Sequence, residues 1–323
     1  MRFAILPRAI DASADSTNRD ALVLRWRLLF AAIIIAPLVG LLYADFCNKF
    51  GAPGILLVPV GLIVGLLAAG EILDMLKGQG HDVVAWPVYS GITLILTAAS
   101  APLGWQLLGI EYPPDCPLGK LGWPLAAAAL SVGLVFIGEM LRYKEPGGVI
   151  VNVALGMFAT LYIGLLLTFV AELRYFESNE RGMAALVSLL FITKLSDTGA
   201  YFCGKSFGRH KLAPHLSPGK TIEGAIGGIA AACLAAWVFF SFIAPLMLGT
   251  EATPGPLWGV LLYGAIIAVA GMLGDLSESL LKRDMQRKDS SSWLPGLGGV
   301  LDILDSLLAA APAAYICWAA GIV

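Results

Sequence analysis

Residues 279–305 read SLLKRDMQRKDSSSWLPGLGGVLDILD, four bases and four acids inside a chain that is otherwise mostly apolar. Two more acids, Asp197 and Asp275, stand at the ends of apolar runs, LVSLLFITKLS and GVLLYGAIIAVAGMLG. An acid at the centre of a spanning helix costs about 2.5–3.5 kcal/mol, so such residues face a bundle interior or a watery cavity. Asp302 and Asp305 are three apart and share a helical face, as do Asp275 and Ser279, four apart. Carboxylates that converge need a neutraliser, because like charges at close range resist joint ionisation. A divalent metal fills that role. Magnesium takes one or two carboxylates and completes its shell with phosphates and waters. Asp302 and Asp305 can also serve as plain caps at a helix start, where the dipole favours an acid. Asp197 and Asp275 stand at C-terminal ends, where the dipole disfavours them.

The neighbouring loops are basic. GKSFGRHKLAPHLSPGKTIEG (204–224) is rich in turn residues, and its Thr221-Ile-Glu223 is suited to open the next helix. KRDMQRKDSSSWLPGLGG (282–299) adds a serine run and glycines. Bases and free backbone amides around a metal suit a polyphosphate. Ordinary positive-inside charge accounts for one or two bases per loop, but not readily for Lys205 with Lys220, or Lys282-Arg283 with Arg287-Lys288. The P-loop spacing is absent, and nothing supports a Ser/His/Asp triad. Phosphoryl or nucleotidyl transfer is therefore the expected chemistry. A site at headgroup level makes a lipid the expected acceptor.

The elements that must position these residues are membrane helices. The 323 residues are 58% hydrophobic and 14% charged, with a mean hydropathy of +0.80. Soluble domains run at about 45–50% apolar and about 25% charged. Hydropathy predicts an all-α, polytopic bundle of nine spans: 28–46, 54–70, 89–107, 123–140, 149–171, 184–202, 224–248, 257–277 and 297–321. With the N-terminus inside, the inside segments carry 16 Lys and Arg and the outside segments 4. That asymmetry places the basic loops and all four acids on the cytoplasmic side. The chain divides into a polar N-terminal tail (1–24), an N-terminal membrane region (25–183) and a C-terminal catalytic region (184–323). The five cysteines and three histidines lack disulfide or metal-ligand spacing.

The opening stretch resembles the signature of the phosphatidate cytidylyltransferases, the CDP-diacylglycerol synthases. Ser279, Lys282, Arg283, Lys288, Asp289, Ser291, Leu294, Pro295, Gly298, Gly299, Val300, Asp302 and Asp305 match it at the right spacing. Leu297 stands where the signature has His, and Ile303 where it has Arg. SDTGAYFCGKSFGRHKLAPHLSPGKTIEG (196–224) is similar to the family's other cytoplasmic loop, and GDLSES (274–279) also fits. The first half matches loosely, at Arg27, Glu71 and Gly80.

The resemblance implies an integral enzyme of the cytoplasmic (inner) membrane with its active site facing the cytoplasm. It implies conversion of CTP and phosphatidate to CDP-diacylglycerol and diphosphate, for phospholipid biosynthesis. Magnesium is the implied cofactor, and whether a monovalent cation joins it stays open. A homodimer is implied, and no nucleic-acid partner is expected. Asp275 and Asp302 would be the main metal ligands, with Asp305 or Asp197 near. Lys205, Lys220, Lys282, Arg283 and Lys288 would hold phosphates. Ser196, Ser217, Thr221 and Ser279 would donate hydrogen bonds, and Glu223, Asp289, Gly298 and Gly299 complete the substrate site. Asp275, Asp302, Lys282 and Arg283 form the expected catalytic set. The phosphatidate phosphate is already an anion and needs no strong base, so catalysis reduces to positioning and charge neutralisation. The rival readings are a CTP-dependent polyprenol or phytol kinase and an ion-coupled transporter. The long match across 279–305 argues against the first. The acids gathered at one end, and two unlike halves, argue against the second.

Overall fold

A backbone in hydrocarbon must satisfy its own hydrogen bonds, so apolar runs bounded by charges and turn residues become helices. The computed structural model describes residues 35–47, 51–113, 115–249, 255–291 and 298–323. The expected tail, the start of the first span, and signature positions Leu294, Pro295 and Leu297 lie outside the described residues. The helices are α1 (Ile35–Phe46), α2 (Leu57–Gly78), α3 (Ala85–Ala99), α4 (Ala101–Leu107), α5 (Gly119–Arg142) and α6 (Val149–Arg174). They continue with α7 (Asn179–Phe207), α8 (Ile222–Val238), α9 (Ala244–Leu248), α10 (Leu257–Asp284) and α11 (Val300–Ala319). A π-helical turn, Phe239–Ile243, joins α8 to α9 into one span.

Among the described residues, seven helices are long and apolar enough to cross a membrane, and the protein is a polytopic helical membrane protein. The pair α3 and α4, bent by 48°, passes the same test together and makes an eighth if it crosses as one broken span. The bend falls at Ser100, just before Pro102, which has no N–H to continue the α3 ladder. These eight correspond to the second to ninth expected spans. The first is represented by the short apolar α1. One departure from the expected loops is a small antiparallel hairpin, β1 (Lys211–Ala213) with β2 (Ser217–Thr221).

Between helices in lipid, close packing takes over from the hydrophobic effect, and small residues permit it. The α7–α8 seam shows this. A side chain at Gly227 would strike Cys203, and one at Gly228 would come 3.1 Å from the Ala200 Cβ. The core of the bundle joins Ile72 and Met75 of α2, Ile163 of α6, Leu189 of α7, Tyr263 of α10 and Leu308 of α11, all buried.

One end of the bundle gathers the C-termini of α2, α7 and α10, the N-termini of α6, α8 and α11, and the hairpin. The opposite end is fastened by a buried ion pair. Asp45, at the end of α1, accepts from Arg174 Nε at 2.7 Å and from the Gly54 N–H at 2.9 Å. Arg174 also donates to Asn179 Oδ1 at 2.7 Å, and Asn179 donates back to the Phe46 carbonyl at 3.0 Å. Both charged side chains are fully buried.

Candidate active site

Lys282, in the last turn of α10, is the hub of the charged end. A cation there is favoured by the helix dipole. Its Nζ lies 2.6 Å from Glu278 Oε2, one turn back, and 2.6 Å from Asp302 Oδ1 on α11. Asp302 is also a helix cap: its Oδ2 accepts from the Gly299 N–H at 2.7 Å, the Ser290 N–H at 3.0 Å and the Ser290 hydroxyl at 2.7 Å. The capping reading of Asp302 holds, and the same carboxylate keeps its Oδ1 on Lys282. Gly298 stands at φ +83°, a left-handed conformation that suits glycine, and a Cβ there would strike the Asp302 carboxylate.

A second group lies beside the first. Asp275 and Glu278 of α10 and Asp305 of α11 each offer an oxygen, and the three oxygens lie within 4.8 Å of one another. Glu278 and Asp305 are buried, and Glu278 Oε1 has no hydrogen-bond partner. A buried carboxylate oxygen left unpaired is costly, so this donor set fits a hard cation. Asp275 is also paired with Lys220 Nζ at 2.6 Å. Asp197, on α7, pairs with Lys194 at 3.5 Å and lies within the field of Asp275 and Lys220. The Tyr162 phenol of α6 feels the charges of Glu278 and Asp305.

The structure brings Asp275 together with Asp305 and Glu278, with Asp197 near. Asp302, expected beside Asp275 as a main ligand, instead meets Lys282, which lies between it and Glu278. The hairpin loop closes the site. Thr221 caps α8, its Oγ1 accepting from the Gly224 N–H at 3.1 Å. Glu223 accepts from the Arg209 N–H at 3.0 Å and meets His210 Nδ1 at 2.6 Å, so it holds the turn before the hairpin. Arg283 Nε donates to the Leu216 carbonyl at 3.2 Å and tethers the hairpin tip to α10. Ser279 is buried and Ser217 partly buried, while Lys205, Lys288 and Asp289 are exposed at the rim. Ile303, at the signature Arg position, is half-buried on α11.

Three residues of this end carried no assigned role in the sequence reading. Glu278 had a signal, since it lies three residues beyond Asp275 and shares its helical face. Glu71 had only the loose family match in the first half, and Ser290 had none. Glu71, buried on α2, accepts from the Val300 N–H at 2.8 Å, the Leu301 N–H at 2.9 Å and the Ser290 hydroxyl at 2.9 Å. A cavity of about 240 Å3 flanks the site between α2, α6 and α10. Leu76, Leu155, Phe158 and Leu281 make it apolar, and Gln79, His81 and Asp284 supply polar groups.

Fold and site define a helical membrane protein whose one end sets a cluster of carboxylates within a ring of bases. The cytidylyltransferase family model matches residues 25–320, and the chain belongs to that family. It is 40% identical over 262 residues to a phosphatidate cytidylyltransferase of Bacillus subtilis, covering 80% of this chain and 88% of the relative. A phosphatidate cytidylyltransferase of Brucella suis is 42% identical over 236 residues, 72% of this chain and 71% of the relative. One from Haemophilus influenzae is 42% identical over 138 residues, 43% of this chain and 46% of the relative, so that match spans less than half of the relative's length.

Proposed function

We propose that this chain is a phosphatidate cytidylyltransferase of the cytoplasmic membrane, with its site facing the cytoplasm. A phosphate oxygen of phosphatidate attacks the α-phosphorus of CTP. The bond between the α-phosphorus and its bridging oxygen to the β-phosphate breaks, and diphosphate leaves with that electron pair. The observation that carries this reading is the adjacency of the Asp275–Glu278–Asp305 group to Lys220 and Lys282. An acid cluster alone would repel a nucleoside triphosphate, and bases alone would give no cation site.

Asp275, Glu278 and Asp305 would hold magnesium, with Asp302 close by. Bound there, magnesium would neutralise charge on the triphosphate. Lys220, Lys282 and Arg283 bind and orient the phosphates, with Lys205 and Lys288 at the rim. Both lysines near the metal group are already paired with acids. Substrate phosphates therefore exchange one set of anionic partners for another, and neither lysine lacks a counter-charge before they bind. The flanking cavity suits part of an acyl chain: apolar residues line it and polar groups mark the headgroup level. The excess of bases at this end supports the cytoplasmic orientation. A homodimer is part of the same reading.

The test is transfer by the purified protein in detergent with phosphatidate, magnesium and CTP labelled at the α-phosphate. Label is expected in the lipid, with diphosphate released and EDTA stopping both. No label in lipid, combined with γ-label entering a polyprenol, would replace this reading with a lipid kinase.

A further inference from the structure

The half of the chain that matches its family signature loosely supplies the support for the charged loop. Three points, two on the last turns of α2 and one at its C-cap, grip residues 285–301. Glu71 takes Ser290, Val300 and Leu301, as described above. The Asp74 carbonyl accepts from the Arg287 guanidinium at 3.4 Å. Gln79 Nε2 donates to the Met285 carbonyl at 2.8 Å.

We propose that Glu71 is a positioning residue for the transfer reaction: through Ser290 and the first turn of α11 it sets Asp302, and through Asp302 it sets Lys282. The inference rests on the function proposed above. Its physical basis is local. The first amides of a helix have no partner within the helix. Here those of Val300 and Leu301 are buried with their residues, so water cannot serve them, and Glu71 does. A carboxylate is also the group the helix N-terminus favours. Ser290 is 1% exposed, and its hydroxyl lies 2.9 Å from Glu71 and 2.7 Å from Asp302. One hydroxyl proton serves one acid at a time, so the two carboxylates are coupled through it. The fit leaves no slack, since a Cβ at Gly299 would strike both Ser290 Oγ and the Glu71 carboxylate. Without the Glu71 carboxylate the start of α11 must shift to find other acceptors. Asp302, in that first turn, would move with it.

The experiment compares purified full-length wild type, Glu71→Gln and Ser290→Ala, by steady-state kinetics and by amide hydrogen exchange. Glu71→Gln keeps the shape but turns one acceptor into a donor facing the α11 amides. The expected result is a fall in kcat of about 10- to 100-fold, the range seen when a partner of a site residue is lost. KM for CTP should change less than kcat, because Lys220 and Arg283 bind phosphate without resting on Asp302. Exchange should quicken at 298–302 and not along α8. Ser290→Ala should move both readouts the same way by less, and the double variant should fall short of additivity. Unchanged kcat, or a loss matched by loosening across the whole bundle, overturns the proposal. If Glu71→Gln does not fold, Ser290→Ala decides by the same criteria. If wild type transfers no cytidylyl group, the functional reading has failed, and exchange at 298–302 alone then decides whether Glu71 holds the loop.

Discussion

At the scale of single residues, the site is a run of ion pairs on either side of a carboxylate group: Lys220 with Asp275 on one side, and Lys282 with Glu278 and Asp302 on the other. Breaking such a pair costs more than its net contribution, because the remaining partners stay buried without a counter-charge. Lys282→Met is expected to lower stability by about 3–5 kcal/mol, the usual cost of orphaning a buried ion pair, read as a drop in melting temperature in detergent. Adding Glu278→Gln should restore part of that loss, and no restoration would show that Lys282 acts through other contacts. The acids and bases of this end were legible in the sequence because charge in an apolar chain is expensive and stands out. Their pairing was not. Asp302 read as a metal ligand or a cap, and only the three-dimensional arrangement put Lys282 between it and the other carboxylates. Glu71 was harder still, since its partners lie 219 to 230 residues away in the chain.

At the scale of elements, hydropathy found the helices, since each apolar run must fold on itself. The π-helical turn and the break at Ser100 were less visible. Pro102 marks a break without fixing its angle. The hairpin was hidden because Pro214 in its turn, and Pro218 and Gly219 within β2 itself, read as loop, and the strands are only three and five residues long. Packing between elements makes its own prediction. A Cβ at Gly264 would lie 2.7 Å from the Ala232 carbonyl oxygen and 2.8 Å from the Cys233 Cα, both backbone atoms. Gly264→Val should therefore force α8 and α10 apart and cost about 1–3 kcal/mol, as overpacking does. At Gly133, inside α5, nothing lies within 4 Å, and Gly133→Ala should keep or slightly raise the melting temperature. Equal melting temperatures for the two variants would contradict this account of the α8–α10 seam.

For the whole molecule, the two ends differ in kind: one holds ion pairs around a group of carboxylates, and the other, among the described residues, a buried pair that joins α1 to α6. The proposed orientation is checked by cysteines placed in a cysteine-free background. An impermeant maleimide added to intact cells should label Glu111→Cys and spare Ser217→Cys, and inverted vesicles should reverse the pattern. The pair at the far end has a consequence for biogenesis. Asp45 and Arg174 are 129 residues apart. At about 5–20 residues per second of synthesis, α1 exists for roughly 6–26 s before its arginine has been made. During that interval Asp45 is an acid at a membrane boundary without its counter-ion. The translocon, or the water at the lipid surface, must shelter it until α6 arrives. Final seating of α1 thus waits for a residue made 129 positions later in the chain.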